Sequence, residues 1–293
     1  MGSRGLRAGW RVAIFALVVA LVVTAAGFAL SGVAHALHAA SPKLGGTLVA
    51  LLAELIFALA AFAATAVMAR IEGRTAYWYG LLDAEALRRF AIGAACGCAL
   101  MSVEMLLLRA TGFATIAFSG AAFASALGFA LFWGAVFLLT GFAEETVFRG
   151  YPLFALARGM GFWPAAILLS VVFGALHGVN GGEALVGEAG AGLIGLVLCF
   201  SLARTGSLWW AIGFHAAWDW TESYLWGARD SGTVSTGALF VSTPHGASAF
   251  SGGSVGPEGS VLVLIPIALA ALAVVLTTRA AIPALAPPLA EAT

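Results

Sequence analysis

Two adjacent glutamates and an arginine stand out in a chain that otherwise avoids charge. They are Glu144, Glu145 and Arg149, within the segment GFAEETVFRG. Carboxylates beside an imidazole can act as a general base, and the same groups can ligate a metal. The further polar residues in or near apolar segments that could join them are His177, His215 and Asp219. These six residues are the candidate site.

Helical spacing predicts different roles for the two glutamates. Glu145 and Arg149 are four residues apart with the acid first, which is the favourable order for an ion pair on a helix. Glu144 lies about 100° around the same helix and has no such partner on it. We therefore expect Glu145 to be a paired, structural carboxylate and Glu144 to be free to take up a proton.

The remaining candidates can reach Glu144 if their helices are neighbours. His177 lies 17 residues after residue 160 and Glu144 lies 16 residues before it. In antiparallel helices joined by a turn near residue 160, both therefore lie roughly 25 Å from that turn. His215 and Asp219 are four residues apart and share one helical face. The sequence therefore predicts that these four groups converge.

Each polar side chain taken alone could instead be a satisfied contact between helices. Glu54 and Glu104 look isolated, and we interpret them as protonated or hydrogen-bonded carboxyls. Three further histidines lie at span ends or in a loop and receive no role: His35, His38 and His245. The joint occurrence of polar groups on three separate helices favours a functional site.

The composition predicts that membrane helices position these residues. The 293-residue chain is 61% hydrophobic and 10% charged, with a mean hydropathy of +1.00 and no net charge. A soluble domain has about a quarter charged residues, and long apolar runs are typical of transmembrane helices. The neutral charge gives no indication of nucleic-acid binding. The three cysteines lie in apolar segments and fit neither a disulfide framework nor a zinc spacing.

The apolar runs predict an all-α, polytopic bundle of about eight transmembrane helices in a single domain over residues 1–293. The predicted spans are Trp10–Leu37, Gly45–Met68, Phe90–Leu108, Ser125–Ala157, Phe162–His177, Ala189–Ala203, Leu208–Trp226 and Val261–Thr277. We expect Thr111–Gly120 to be a re-entrant or interfacial piece and Gly227–Gly259 to be a loop. The Pro- and Ala-rich residues 283–293 are expected to form a disordered tail.

Basic residues predict the orientation in a cell membrane. With the N-terminus in the cytoplasm, eleven of the 14 lysines and arginines fall on the inner side or in helix ends near it. The three on the outer side are Lys43, Arg109 and Arg229. This bias favours a multi-pass protein with both termini in the cytoplasm.

Three short motifs resemble those of one family. EETVFR at Glu144–Arg149 is similar to the EExxxR motif of the CAAX-protease and bacteriocin-processing intramembrane proteases, called CPBP or Abi. FGALH at Phe173–His177 resembles the family's FxxxH motif, and HAAWD at His215–Asp219 resembles HxxxN or HxxxD. The order of the motifs also agrees, and the similarity covers a catalytic core of about residues 121–280.

The resemblance implies an eight-helix intramembrane endopeptidase that cuts a peptide or protein substrate at or in the bilayer. Glu144 and His177 would activate the attacking water, and His215 and Asp219 would stabilise the oxyanion. Glu145 and Arg149 would hold the site together. Asp219 replaces the Asn of the eukaryotic CAAX-processing members, and an ionised Asp cannot donate a hydrogen bond. Asp219 would then be protonated, orient His215 or bind a metal.

The cofactor and the activity itself stay open at this point. The residues Glu144, His177, His215 and Asp219 would suffice for a zinc site, but no His-Glu-x-x-His helix presets two histidines for it. The sequence slightly favours a metal-independent mechanism. The alternative to a protease is a non-catalytic membrane protein, such as an immunity factor or a partner of a transport or secretion system, that keeps the polar cluster for structure.

Overall fold

The fold is that of a helical membrane protein, seen in a computed structural model that describes residues 7–178 and 185–279. The predicted disordered tail lies outside the described residues. The helices are α1 (Ala8–Ala40), α2 (Pro42–Ile71), α3 (Ala86–Ala110), α4 (Phe123–Phe148), α5 (Tyr151–Met160), α6 (Phe162–His177), α7 (Leu185–Thr205), α8 (Trp209–Trp220), α9 (Ser248–Ser251) and α10 (Leu264–Thr277). The strands are β1 (Ala114–Phe118) and β2 (Phe240–Pro244). A π-helical turn, Thr221–Leu225, continues α8.

The predicted all-α, polytopic class is confirmed. Five helical segments of the described chain are long and apolar enough to cross a membrane: Ala8–Ala40, Gly45–Ile71, Ala86–Ala110, Phe123–Met160 and Leu185–Thr205. Two shorter apolar helical segments are Phe162–His177 and Val261–Thr277. Large apolar side chains on these helices face outward, Leu131 being 68% and Leu276 74% exposed, as lipid contact requires. The count of eight spans stays a prediction.

The predicted fourth span, Ser125–Ala157, is wrong as a single helix. It is divided into α4 and α5 at Arg149 and Gly150. Pro152 lies in the first turn of α5. A proline ring clashes with the carbonyl four residues before it, here that of Phe148, so the helix cannot run through this point. The break places Arg149 at the end of α4, close to the candidate site.

Within Thr111–Gly120, which we expected to be a re-entrant or interfacial piece, residues Ala114–Phe118 form a strand, and the position of this piece relative to the membrane stays a prediction. β1 pairs antiparallel with β2, with Ala114 opposite Pro244 and Phe118 opposite Phe240. The partner strand comes from the segment Gly227–Gly259, which we expected to be a loop. The pairing satisfies the backbone groups that face the partner strand in these five residue pairs. Such a long-range pairing carries no local signal in the sequence.

Glycines let α8 pack directly against the backbone of α3. A Cβ at Gly93 would overlap the carbonyl of Trp210, and one at Gly97 would overlap that of Phe214. On the other side, a Cβ at Gly213 would overlap the carbonyl of Phe90. Small residues four apart permit this close approach of membrane helices. The contact fixes the position of α8, which carries two of the candidate residues.

A compensated carboxylate, Glu72, ties the ends of several helices together at the end of α2. It accepts hydrogen bonds from Arg11 at 2.8 Å, Tyr79 at 2.9 Å, Tyr151 at 2.8 Å and Arg158 at 2.7 Å. Burial alone would raise the pKa of Glu72, but Arg158 and the two tyrosines hold it below its ordinary value of 4.5. Burial and the charge of Glu72 raise the pKa of Tyr79 well above its usual range. This centre, the Glu72 centre, is structural.

Candidate active site

The candidate residues surround a single cavity of about 990 Å³. Its walls come from α2, α4, α6, α7 and α8 and from the segment after α8. Four of the six predicted residues line it: Glu144, His177, His215 and Asp219. Glu145 and Arg149 are buried behind this wall, 0% and 1% exposed. The two groups of residues thus differ in access to a substrate.

The predicted ion pair between Glu145 and Arg149 is present. Arg149 Nη1 lies 3.0 Å from Glu145 Oε1. The same carboxylate oxygen lies 2.8 Å from Nδ1 of His215. Gly195 of α7 leaves room for the guanidinium, because a Cβ there would overlap Arg149 Nη2. Glu145 therefore joins α4 to α8 and fixes the ring of His215, which the sequence did not predict.

The other nitrogen of His215 lies between two carboxylates. Nε2 is 3.6 Å from Glu144 Oε2 and 3.6 Å from Asp219 Oδ2. A ring that faces acceptors through both nitrogens donates from both when it is doubly protonated. Asp219 thus lies beside His215, one helical turn further along α8.

Phe173 is a site residue whose role the sequence did not reveal. Its carbonyl lies 2.8 Å from Nδ1 of His177. Its ring lies 4.5 Å from the His177 ring and 4.4 Å from the Arg149 guanidinium carbon. An Nδ1–H bonded to a backbone carbonyl leaves Nε2 as the acceptor of the neutral ring. The Phe of the FxxxH motif was the available signal, and in the fold it links His177 to Arg149.

The expectation that Glu54 is isolated is wrong. It lines the same cavity as Glu144, together with Thr140 of α4. Glu54 reaches this cavity because α2 packs along α4, and the sequence does not specify this packing. A signal did exist, since an ionisable residue inside a span indicates function by default. Glu54 is therefore added to the residues that face the site.

The four residues considered for zinc do not form a metal centre as arranged. In the described part of the chain, no three of Glu144, His177, His215 and Asp219 bring their ligand atoms within 4.8 Å of one another. A four-coordinate zinc needs ligand atoms about 2 Å from the metal and thus close together. We therefore derive no reaction step through a metal.

Comparison with known families agrees with this geometry. Residues 126–221 match the model of the Rce1-like family, described as type II CAAX prenyl endopeptidase Rce1-like. The match contains all six predicted site residues and confirms the resemblance to CAAX-type membrane proteases. Neither the curated proteins nor the solved structures gave a match. This part of the chain is therefore similar to CAAX-type membrane proteases, and it lies within a bundle that has several helices long enough to cross a membrane.

Proposed function

We propose that the protein is an intramembrane endopeptidase in which Glu144 and His177 activate a water molecule. The observation that carries the proposal is one cavity, inside a helical membrane bundle, that is lined by a carboxylate and by two histidines with different hydrogen-bond partners. A cavity of about 990 Å³ is at the upper end of the range for ligand pockets and can accommodate a stretch of peptide.

Glu144 is the proposed base. Its side chain is 24% exposed, so it reaches the cavity, whereas Glu145 is fully buried and already bonded. Nε2 of neutral His177 has a lone pair, because Nδ1–H is directed to the Phe173 carbonyl. Glu144 would take the proton of the water as the water attacks the carbonyl carbon, and it would pass that proton to the leaving nitrogen as the C–N bond breaks. His177 would accept the water's second hydrogen as a hydrogen bond and hold it in place.

His215 is the proposed donor to the oxyanion. Its Nδ1 is directed to Glu145, and the carboxylates of Glu144 and Asp219 near Nε2 favour the doubly protonated ring. That ring can donate Nε2–H to the carbonyl oxygen as negative charge develops on it. In this proposal Asp219 acts as a positioning residue for His215, which is one of the roles that the replacement of Asn by Asp left open. Arg149 positions Glu145.

Metal independence is part of this proposal. The base, the water-positioning group and the oxyanion donor are all side chains of the chain itself. Elemental analysis of active protein, with activity measured before and after a zinc chelator, tests it. Stoichiometric zinc whose removal abolishes activity, and whose return restores it, would contradict the proposal.

The proposed substrate is a membrane-associated peptide or protein, and the proposed location is the cell membrane with both termini in the cytoplasm. The basic-residue bias supports this orientation. Reporter fusions at residues 80 and 240 are expected to report opposite sides of the membrane. Equal signals from the two positions would exclude the orientation.

The test of the activity is the Glu144→Gln variant. We expect at least a 100-fold loss of cleavage with a normal amount of folded protein, because the change removes a base without leaving a charge unpaired. Membrane peptidomes of cells with wild type, Glu144→Gln and the surface control Glu85→Gln would identify the substrate. Identical peptidomes would favour the non-catalytic alternative, and full cleavage by Glu144→Gln would exclude Glu144 as the base.

A further inference from the structure

A second group of carboxylates adjoins the candidate active site, and two of its members, Asp230 and Glu258, line the same cavity. Glu222 belongs to the π-helical turn after α8, and Asp230 and Glu258 come from the segment between α8 and α10. One carboxylate oxygen of each lies within 4.8 Å of those of the other two. We call these three residues the acidic cluster. All three residues lie outside the family match.

No ion pair of the described chain neutralises the acidic cluster. Glu222 is 0% exposed, and neither of its carboxylate oxygens has a hydrogen-bond partner among the described residues. None of the ion pairs in the described chain involves Glu222, Asp230 or Glu258. Burying a carboxylate without a partner is costly, so such a group requires a proton or a cation.

A fourth carboxylate adds to this charge. Glu104 of α3 is also 0% exposed, with both oxygens unpartnered in the described chain. It lies close enough to Glu258 for the two carboxylates to interact electrostatically. Glu104 thus has no hydrogen-bond or ion-pair partner in the described chain, but it adds negative charge to the same region. Several carboxylates in one buried region make a cation the more effective neutraliser, because it balances more than one negative charge at once.

The hydrogen bonds that do exist leave oxygens free for a ligand. Trp218 Nε1 donates to Glu258 Oε1 at 2.6 Å, and Ser223 Oγ donates to Asp230 Oδ2 at 3.3 Å. The second oxygen of each carboxylate has no hydrogen bond within the described residues. These bonds hold two of the three acids in place while their other oxygens point away from the donors. Such outer partners are typical of ligating carboxylates.

Gly256, in the segment between α8 and α10, lies against the acidic cluster. Its φ is 132°, a conformation open to glycine, and a Cβ there would overlap the carbonyl oxygen of Arg229 and lie 3.1 Å from Glu222 Oε1. The Arg229 carbonyl oxygen and Glu222 Oε1 thus lie beside the same face of Gly256. A backbone carbonyl is a usual additional ligand in sites built from carboxylates.

We propose that the acidic cluster binds a divalent cation, with Glu222, Asp230 and Glu258 as its ligands and Ca²⁺ as the ion. The donors are all oxygens, and no His or Cys belongs to the cluster, which favours a hard cation over zinc. The ligands come from three separate parts of the chain, and Ca²⁺ tolerates such irregular geometry better than Mg²⁺ does. The ion would hold the segment after α8 against the end of that helix, three residues beyond Asp219.

The first test uses wild-type protein in detergent, stripped with a chelator and then titrated with CaCl₂. We expect one Ca²⁺ per chain by calorimetry and a rise in the thermal unfolding midpoint of roughly 5 °C or more at saturation. MgCl₂ should act only at higher concentration, and NaCl at equal ionic strength should not act. Absence of Ca²⁺ binding by wild type, or an equal shift with NaCl, would overturn the proposal.

Variants locate the site. Glu222→Gln and Asp230→Asn should lose the Ca²⁺-dependent shift, whereas the matched surface variant Glu85→Gln should keep it. An unchanged shift in either cluster variant would also overturn the proposal. Tb³⁺ provides a second readout, because Trp218 contacts Glu258 and should sensitise Tb³⁺ emission that Ca²⁺ displaces and Glu222→Gln lacks. None of these measurements depends on cleavage, so they stand or fall separately from the proposed protease activity.

Discussion

The Glu72 centre and the acidic cluster both contain buried carboxylates, but only the Glu72 carboxylate is surrounded by hydrogen-bond donors of the chain. Glu72 faces two arginines and two tyrosine hydroxyls, all at 2.9 Å or less. Glu222 has no partner in the described chain. The two regions lie at opposite ends of α8, since Leu208 bonds to Gly80 near the first and Glu222 lies roughly 20 Å further along the helix.

The difference separates structural from ligand-binding carboxylates. A carboxylate whose donors come from the chain itself stabilises the fold in all conditions in which it is ionised. A buried carboxylate without such donors does not stabilise the fold until it binds a proton or a cation. Glu145 belongs to the first kind, although it lies beside the site, because Arg149 and His215 both contact it. The comparison therefore gives three mutational predictions, with the largest expected effect first.

Glu145→Ala should destabilise the protein most. The change leaves the 1% exposed Arg149 without its carboxylate, and removing one partner of a buried pair costs about 3–5 kcal/mol. We expect a large fall in the amount of folded protein after detergent extraction, while Glu144→Gln, one residue away, stays near wild type. Equal yields of Glu145→Ala and wild type would show that the pair does not support the fold.

Glu72→Gln should lower the free energy of unfolding by about 2 kcal/mol. The loss is smaller than for Glu145→Ala because the arginines that contact Glu72 are partly exposed and can be solvated.

The matched change Glu222→Gln, measured with chelator present, should leave the thermal unfolding midpoint unchanged or raise it, because it removes an uncompensated charge. A loss of stability from Glu222→Gln equal to that from Glu72→Gln would remove the distinction between the two regions.

The smallest effect is the pH dependence of the Glu72 centre. Because the pKa of Glu72 is lowered in the folded state, its stabilisation is present above the ordinary value of 4.5 and is lost as the pH falls through the lower folded-state value. The difference in unfolding midpoint between wild type and Glu72→Gln should therefore be constant near neutral pH and shrink below about pH 4.5. A difference that grew towards acid pH would contradict this assignment.

Local patterns were sufficient for much of the fold. The predicted span Phe162–His177 coincides with α6, and the first three spans lie within α1, α2 and α3. The ion pair between Glu145 and Arg149 also followed from helical spacing alone. Hydropathy and the helical repeat are properties of consecutive residues, so the sequence displays them directly.

The break between α4 and α5 could also have been predicted from the sequence. Pro152 is a strong local signal against a continuous helix, and the length of the apolar run concealed it. The pairing of β1 with β2 is of another kind. It joins residues more than a hundred positions apart, and neither strand has a hairpin turn that would reveal its partner.

The sequence by itself determined a membrane bundle, the identity of the six candidate residues and the pairing of Glu145 with Arg149. Only the tertiary structure decided that Nε2 of His215 lies between Glu144 and Asp219, that Glu54 faces the same cavity, and that Glu222 meets Asp230 and Glu258. The physical reason is that these contacts depend on how helices cross and where a long segment folds back. In this protein the glycines of α3 and α8 bring those two helices into backbone contact, and Gly256 lies against Arg229 and Glu222. Helical periodicity specifies neither contact.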